Sequence, residues 1–334
     1  MVARLARAGI PDPYLDDNMS MLRRDPPDHT RLRGLVAKAF TPRSVERMRP
    51  RVEQILKELV EARPAHGAME LVRELAAPLP VRVIAEMLGI PAEDHLRFRD
   101  WSNQVVRSLG EGTFEDQRAA MRATAELRSY FEAIVDARRV SPRDDLISAL
   151  VAAEDGGDRL KLSEMFATLV LLLVAGNETT TNLISNAMLA LLRNPEQLEL
   201  LRAAPERVPA ALEELLRYDS PVQLTSRIVK RDCELDGRRL RRGQQLVLLL
   251  GAANRDPEVF ADPERLDVTR TDVRHLSFSH GIHFCLGAQL ARLEGALALE
   301  ALVTRDPRMK LPDQKITWRN NTILRGPKEL WLEL

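Results

Sequence analysis

Cysteine is scarce, with only Cys233 and Cys285 among 334 residues. That excludes a small secreted scaffold built on disulfides and fits a reducing compartment. Aromatic residues make up only 4%, so a core must rest on Leu, Val, Ile and Ala. Leu and Ala favour helix. Neither sign of charge is in excess, since 49 Lys and Arg face 49 Asp and Glu. No basic stretch with interleaved aromatics marks a nucleic-acid surface. The opening residues, Met1 to Gly9, lack the apolar centre of a signal peptide. The most apolar run, Phe166 to Ala175, falls short of the roughly 20 residues of a membrane span. It continues into Asn177, Glu178, Thr179 and Thr180, which lipid would penalise. The expectation is a cytoplasmic protein, monomeric, bound to neither membrane nor nucleic acid. The histidines lack ligand spacing and no Gly-x-Ser-x-Gly occurs, so neither a zinc site nor a serine hydrolase is indicated.

What is present is mostly helical periodicity. Apolar spacing predicts helices over 28–40, 44–63, 80–88, 93–109, 114–139, 195–203, 206–218 and 286–305. The longest spans 163–193, with Ser163 as its N-cap and Asn194-Pro195 as its stop. Such a helix is roughly 45 Å long, enough to cross a domain. Asp155-Gly156-Gly157-Asp158 reads as a loop before it. After Pro221 short strands are expected at 222–229, 234–235, 238–240 and 245–250, and two or three more in 315–333. Residues 252–284 form a long irregular segment, and such segments tend to be functional. The fold class expected is mainly α with a small β region (α+β), in a single domain over 1–334.

Four clusters carry chemistry. In Phe278-Ser279-His280-Gly281-Ile282-His283-Phe284-Cys285-Leu286-Gly287, a Cys between Phe and Leu reads by itself as a small buried hydrophobe. Gly281 and Gly287 let the loop over 278–287 wrap a sulfur, and the helix starting near Leu286 points its positive end at it. Both favour thiolate. Midway along the long helix, Ala175 and Gly176 remove bulk beside Glu178 and Thr179. Polar groups within an all-apolar helix need a reason. Glu214 and Arg217 share a helix face. His29 and Arg33, four apart, share another.

The pattern Phe-x-x-Gly-x-x-x-Cys-x-Gly at 278–287 resembles the haem-binding loop of the cytochrome P450 superfamily. Ser279 departs from it, standing where the family commonly has Gly. The resemblance, which looks bacterial, covers the chain from about Asp25 onward. It implies haem b (iron protoporphyrin IX), with Cys285 as iron ligand and Phe278 against the sulfur side. Ala175 and Gly176 would admit the flat macrocycle. Glu178 and Thr179 would be the acid–alcohol pair delivering protons during O2 activation. His29, Arg33, Arg227 and His283 would meet the propionates. Glu214, Arg217 and Arg265 would form a buried structural trio holding the Cys loop. By the same analogy residues 10–22, Val174, Ala175, Leu224 and Ile323 line an apolar substrate pocket. His66, His95 and His275 match nothing and read as surface or local-contact residues, His280 as proximal surface and Cys233 as structural.

The activity implied is haem-thiolate monooxygenation of a small apolar organic substrate: a polyketide or macrolide, a terpenoid or a steroid. O2 would be the co-substrate, and a separate ferredoxin or flavodoxin-type donor would supply electrons. The alternatives are a peroxide-driven enzyme on the same fold and a catalytically silent haem- or ligand-binding protein. Relative to the family, the first helix and first sheet strands are missing upstream of Asp25. The sheet over 222–250 is therefore expected to have an open edge, and the chain to hold haem weakly or to fold poorly.

Overall fold

The computed structural model describes residues 20–62, 67–108, 113–155 and 160–334. Ten helices of eight residues or more appear among them, in chain order: α1 (Asp28–Ala37), α2 (Pro42–Glu61), α3 (Pro78–Met87), α4 (His95–Arg107), α5 (Phe114–Val140), α6 (Leu146–Asp155), α7 (Leu162–Arg193), α8 (Pro195–Ala203), α9 (Val208–Tyr218) and α10 (Ala288–Arg305). The strands are β1 (Ala68–Glu70), β2 (Leu224–Ile228), β3 (Cys233–Leu235), β4 (Arg238–Leu240), β5 (Gln245–Leu249) and β6 (Trp331–Glu333). They form three antiparallel pairs, β1–β6, β2–β5 and β3–β4. The fold is mainly α with a small β region, as the composition and periodicity predict.

Helix α7 organises the core. Its start is set two residues before the expected Ser163: the N-cap is Lys161, whose N–H donates to the Glu164 carboxylate at 3.0 Å. Arg31 on α1 also donates to that carboxylate, at 3.1 Å through Nη1, which ties α1 to the end of α7. Asn194 closes α7 by donating its side-chain amide to Ala190 O at 2.8 Å. Pro195 then opens α8, where a missing N–H costs nothing. Leu169, Leu173, Leu183, Ile184, Met188 and Leu191 are buried along α7. Thr168, Thr181 and Ser185 return their hydroxyls to carbonyls one turn back, so their polarity is satisfied in place. Among the described residues α7 alone is long and apolar enough to cross a membrane. Here it is a core helix, packed by α3, α4, α5, α9 and α10.

The structure differs from the periodicity in a few places. Residues 315–333 hold one strand, β6, and otherwise only isolated bridges, Trp318 to Pro327 and Val222 to Leu324. Helix α6 and strand β1 have too few periodic positions to stand out. β1 exists because β6 pairs with it, and Glu70 locks the join by accepting from Val72, Arg73 and Leu330 backbone N–H groups. Ile228, Val247, Leu248 and Leu249 of the β2–β5 pair are exposed. Of the expected loop at 155–158, only Asp155 lies within the described residues, and it ends α6.

Candidate active site

Cys285 lies between a single 3-10 turn, Gly281–His283, and the first residue of α10. The turn is fixed by its own backbone: Cys285 N–H donates to Phe278 O at 2.9 Å, and Phe284 N–H to Gly281 O at 3.0 Å. Gly281 has φ +74° and Ser279 φ +62°. The left-handed value at Ser279 is one that glycine would adopt without strain, and the departure from the motif falls there. Cys285 is an exposed residue. Around its sulfur, crowding by the protein pushes the thiol up, opposed by the Gly287 N–H and the charges of Arg33 and Arg292. Free of any partner the group is therefore a thiol, and a cation bound to the sulfur would have to supply the rest of its stabilisation.

Behind the loop Arg292 of α10 sits over the Phe278 ring, 4.5 Å from its centroid. Its Nε and Nη2 donate to the Glu213 carboxylate at 2.7 and 2.8 Å, and His275 Nε2 lies 3.1 Å from the same group. Burial opposes ionisation of Glu213, yet Arg292 and His275 prevail and hold it at about 2. His275, expected as a surface or local-contact residue, makes a local contact by accepting from Ser277 N–H on Nδ1 at 3.1 Å, and it also supports the Cys loop from inside. Periodicity carries no signal for the second role, because Glu213 lies 62 residues away. His95 is likewise buried, against Ile90 O at 3.3 Å. Cys233, expected to be structural, is exposed on β3. His66 lies outside the described residues, and His280 is exposed.

On the other side of the loop, cationic and donor groups converge. Arg33 Nη2 donates to Phe284 O at 2.8 Å. The His29 and His283 rings are 4.5 Å apart. Burial lowers the affinity of both imidazoles for a proton, and Arg33 (with Arg227 for His283) lowers it further. Arg227 Nη1 donates to Ser226 O at 2.8 Å. His29 Nδ1 is buried without a hydrogen-bond partner.

Helix α7 passes through the core with one uncovered stripe. Leu171, Ala175 and Thr179, spaced four apart, are exposed or half-buried and are flanked by half-buried Val170, Val174 and Gly176, whereas Leu172, Leu173, Asn177 and Glu178 are buried. Thr179 Oγ1 donates to Ala175 O at 2.7 Å. Glu178, one residue and about 100° around the helix, is buried and paired with Arg319 at 2.7 Å. The acid and the alcohol therefore lie on different sides of α7. Leu224 and Ile323 lie on adjoining segments, joined by Gln223 N–H to Ile323 O at 2.8 Å. Residues 10–19 of the expected pocket lie outside the described residues, whereas Met21 is buried and Leu22 exposed.

The structural trio needs one correction. Glu214 and Arg217 are fully buried and bidentate, at 2.7 and 2.8 Å. Arg265, however, points its side chain to solvent and contributes only its carbonyl, which accepts from Arg217 Nη2 at 3.1 Å. Arg270 takes the third place, 3.3 Å from Glu214. Both arginines sit in the same irregular segment, and only packing distinguishes them.

An exposed cysteine at the head of a helix, flanked by cationic groups and set against a largely helical core, has the arrangement of a haem-thiolate site. Comparison with known proteins agrees. The family model Cytochrome P450 matches residues 100–333. The polyketide biosynthesis cytochrome P450 PksS of Bacillus subtilis (strain 168) is 44% identical over 318 residues, covering 94% of this chain and 77% of that protein. The vitamin D(3) 25-hydroxylase of Pseudonocardia autotrophica is 43% identical over 310 residues, covering 92% and 75%. The structure of P450BioI in complex with acyl carrier protein ligated to hexadec-9Z-enoic acid matches with TM-score 0.91 at 38% identity, covering 96% of this chain and 84% of that one.

The chain belongs to the cytochrome P450 family, monooxygenases whose haem is held by a cysteine thiolate. The residues present fit that group. Cys285 is an exposed residue, and the unpartnered His29 Nδ1 together with Arg33, Arg227 and His283 suits two carboxylates, for which guanidinium geometry is well matched. The uncovered stripe of α7 offers small residues to a flat ring.

Proposed function

We propose that Cys285 is the iron ligand and that the enzyme inserts one atom of O2 into a small apolar organic molecule, by hydroxylation or epoxidation. The observation that carries this reading is the single uncovered stripe of α7, with Thr179 on it and the buried Glu178 beside it. The bound haem supplies the iron at which O2 is activated. Arg33 and Arg227 would neutralise its propionates and His29 and His283 would donate hydrogen bonds to them, while Phe278 and the Glu213–Arg292–His275 group hold the proximal loop. Glu214, Arg217 and Arg270 brace the segment leading to that loop. Thr179 orients a proton toward the oxygen side, and Glu178 relays it from solvent by general acid catalysis.

Val174, Ala175, Leu224 and Ile323 give the substrate side an apolar character. Relatives named for polyketide biosynthesis and vitamin D(3) hydroxylation support a small apolar organic substrate of the polyketide or macrolide, terpenoid or steroid kind. Electrons come from a separate ferredoxin or flavodoxin-type donor. Exposed Arg274, His280 and Ile282 beside the Cys loop supply a mixed basic and apolar face for it. A monomeric cytoplasmic enzyme belongs to the same reading.

Thr179→Ala tests the oxygenase reading. With reductant and donor, O2 uptake should persist while product per O2 falls at least about tenfold, the lower range of a lost general-acid step. Equal product yield from both proteins, or turnover with peroxide alone, would contradict it.

A further inference from the structure

Two cations act on the Cys285 sulfur, and they are held differently. Arg33 donates to the Phe284 carbonyl, a neutral acceptor, at 2.8 Å. Arg292 is matched by a full negative charge, since its Nε and Nη2 donate to both Glu213 oxygens at 2.7 and 2.8 Å. The acid is itself oriented. Ser277 N–H donates to His275 Nδ1 at 3.1 Å, so the neutral ring carries its proton on Nε2, 3.1 Å from Glu213 Oε2. On its other side the Arg292 guanidinium stands 4.5 Å over the Phe278 ring. The Phe278 carbonyl in turn accepts the Cys285 N–H at 2.9 Å. A chain of contacts thus runs from Glu213 on α9, through Arg292 on α10, to the residue that carries the sulfur.

The loop has anchors besides this ion pair. Asn254 Oδ1 accepts from Leu276 N–H at 2.7 Å, and Asn254 Nδ2 donates to Ser277 Oγ and Ser220 Oγ at 2.8 and 2.7 Å. Ser220, Asn254 and Ser277 are all buried. The turn beyond them is closed by its own backbone, from Phe284 N–H to Gly281 O. Glu213 and Arg292 instead lie at the edge of this assembly, their side chains 27% and 28% exposed. An ion pair so placed adds little to stability. Its charges still reach groups that it does not touch, because a Coulomb interaction falls off only slowly with distance. Neutralising the pair should therefore leave the loop in place and change the field at the sulfur.

We propose that Glu213 is a positioning residue that sets how readily the iron is reduced, by fixing Arg292 beside Cys285 and cancelling part of its charge. The step concerned moves one electron from the donor to the iron. The donor is oxidised by one electron, the iron passes from ferric to ferrous, and no proton moves within the network. The added electron is negative, so Arg292 favours reduction and Glu213 opposes it. The same carboxylate leaves the sulfur more electron-rich, the property that a thiolate lends to O–O cleavage. Glu213, held at about 2 against its burial, and Arg292, raised by that acid, both stay ionised near neutral pH. The effect is therefore a fixed field and not a pH switch. This rests on the reading of Cys285 as the iron ligand.

The test compares the haem-loaded native protein with Glu213→Gln, Arg292→Gln, Arg292→Lys and the double variant Glu213→Gln with Arg292→Gln. The first readout is the ferric–ferrous midpoint, titrated with dithionite and mediators in the absence of substrate and donor. Glu213→Gln should favour the ferrous form by at least about threefold and Arg292→Gln should disfavour it by as much, at roughly 59 mV per factor of ten. The double variant, and Arg292→Lys, which keeps the charge, should lie within about twofold of the native protein. The second readout is the C–O stretch of the reduced carbon monoxide complex. It should rise in Glu213→Gln and fall in Arg292→Gln, because a richer sulfur pushes more electron density onto the bound ligand. A purely structural pair would shift both single variants in one direction. That result, or no shift beyond about twofold in either, would overturn the proposal. If Arg292→Gln loses haem, the other single variants still decide. A raised midpoint in Glu213→Gln with a native one in Arg292→Lys supports the proposal, and any other combination overturns it. If every variant keeps the thiolate carbon monoxide band and the native midpoint, the Glu213 inference fails alone. If the native protein lacks that band, the Cys285 reading fails first and takes the inference with it.

Discussion

Replacing Arg217 with alanine is expected to remove about 3–5 kcal/mol of folding stability, the range for breaking a buried ion pair on one side. Arg217 is among the largest fully buried side chains. All five of its guanidinium N–H groups are used: Nε and Nη2 on Glu214, Nη1 on Asn254 O and Pro263 O at 3.0 and 2.8 Å, and Nη2 again on Arg265 O. Those three carbonyls belong to the irregular segment that leads to the Cys loop. Glu214 reaches the same segment by accepting from Asp267 N–H at 3.0 Å. Losing the guanidinium leaves a buried carboxylate and three carbonyls unmatched, so the damage should extend to the haem loop. Denaturant unfolding checks the magnitude, and the pair Glu214→Leu with Arg217→Met should cost less than Arg217→Ala alone. A change below about 0.5 kcal/mol would place this cluster with ordinary surface pairs.

The second large effect concerns Glu294 of α10. Its carboxyl is buried, Oε2 has no hydrogen-bond partner, and burial alone pushes it up to about 8. The folded protein therefore keeps this proton at pH values where the unfolded chain, with an ordinary value of 4.5, has lost it. The unfolded state then binds fewer protons, so stability falls as pH rises. The loss begins above the unfolded value and levels off above the folded one. A shift of this size corresponds to roughly 3–5 kcal/mol across that window. Glu294→Gln, which cannot ionise, should abolish this part of the slope. Urea midpoints of both proteins from about pH 5 to about pH 8.5 give the comparison. Parallel curves would mean that water or a polar neighbour already satisfies Glu294.

Much of this molecule is legible before any coordinates, and what is not has a common cause. Helix α7 and helix α10 are read from local spacing, because a helix declares its buried face every three or four residues. The Cys loop is read because glycines and a helix start surround one sulfur. Features set by distant packing leave no such trace. β1 needs β6, from the far end of the chain, to exist at all. Nothing local separates Arg265 from Arg270, since only the path of the loop decides which guanidinium turns inward. His275 meets Glu213, and Arg319 meets Glu178, through tertiary contact alone. The start of α7 shifts from Ser163 to Lys161 because Glu164 folds back to satisfy the earlier N–H, an alternative that a search for Ser or Thr caps passes over.

The central claim is that Cys285 holds the iron. The direct measurement is the carbon monoxide difference spectrum of the reduced, haem-loaded protein beside those of Cys285→His and Cys233→Ser. The native protein and Cys233→Ser should show the red-shifted band of thiolate-ligated haem, and Cys285→His should show only the band of a neutral nitrogen ligand. A thiolate band that survives in Cys285→His, or that disappears in Cys233→Ser, would contradict the account.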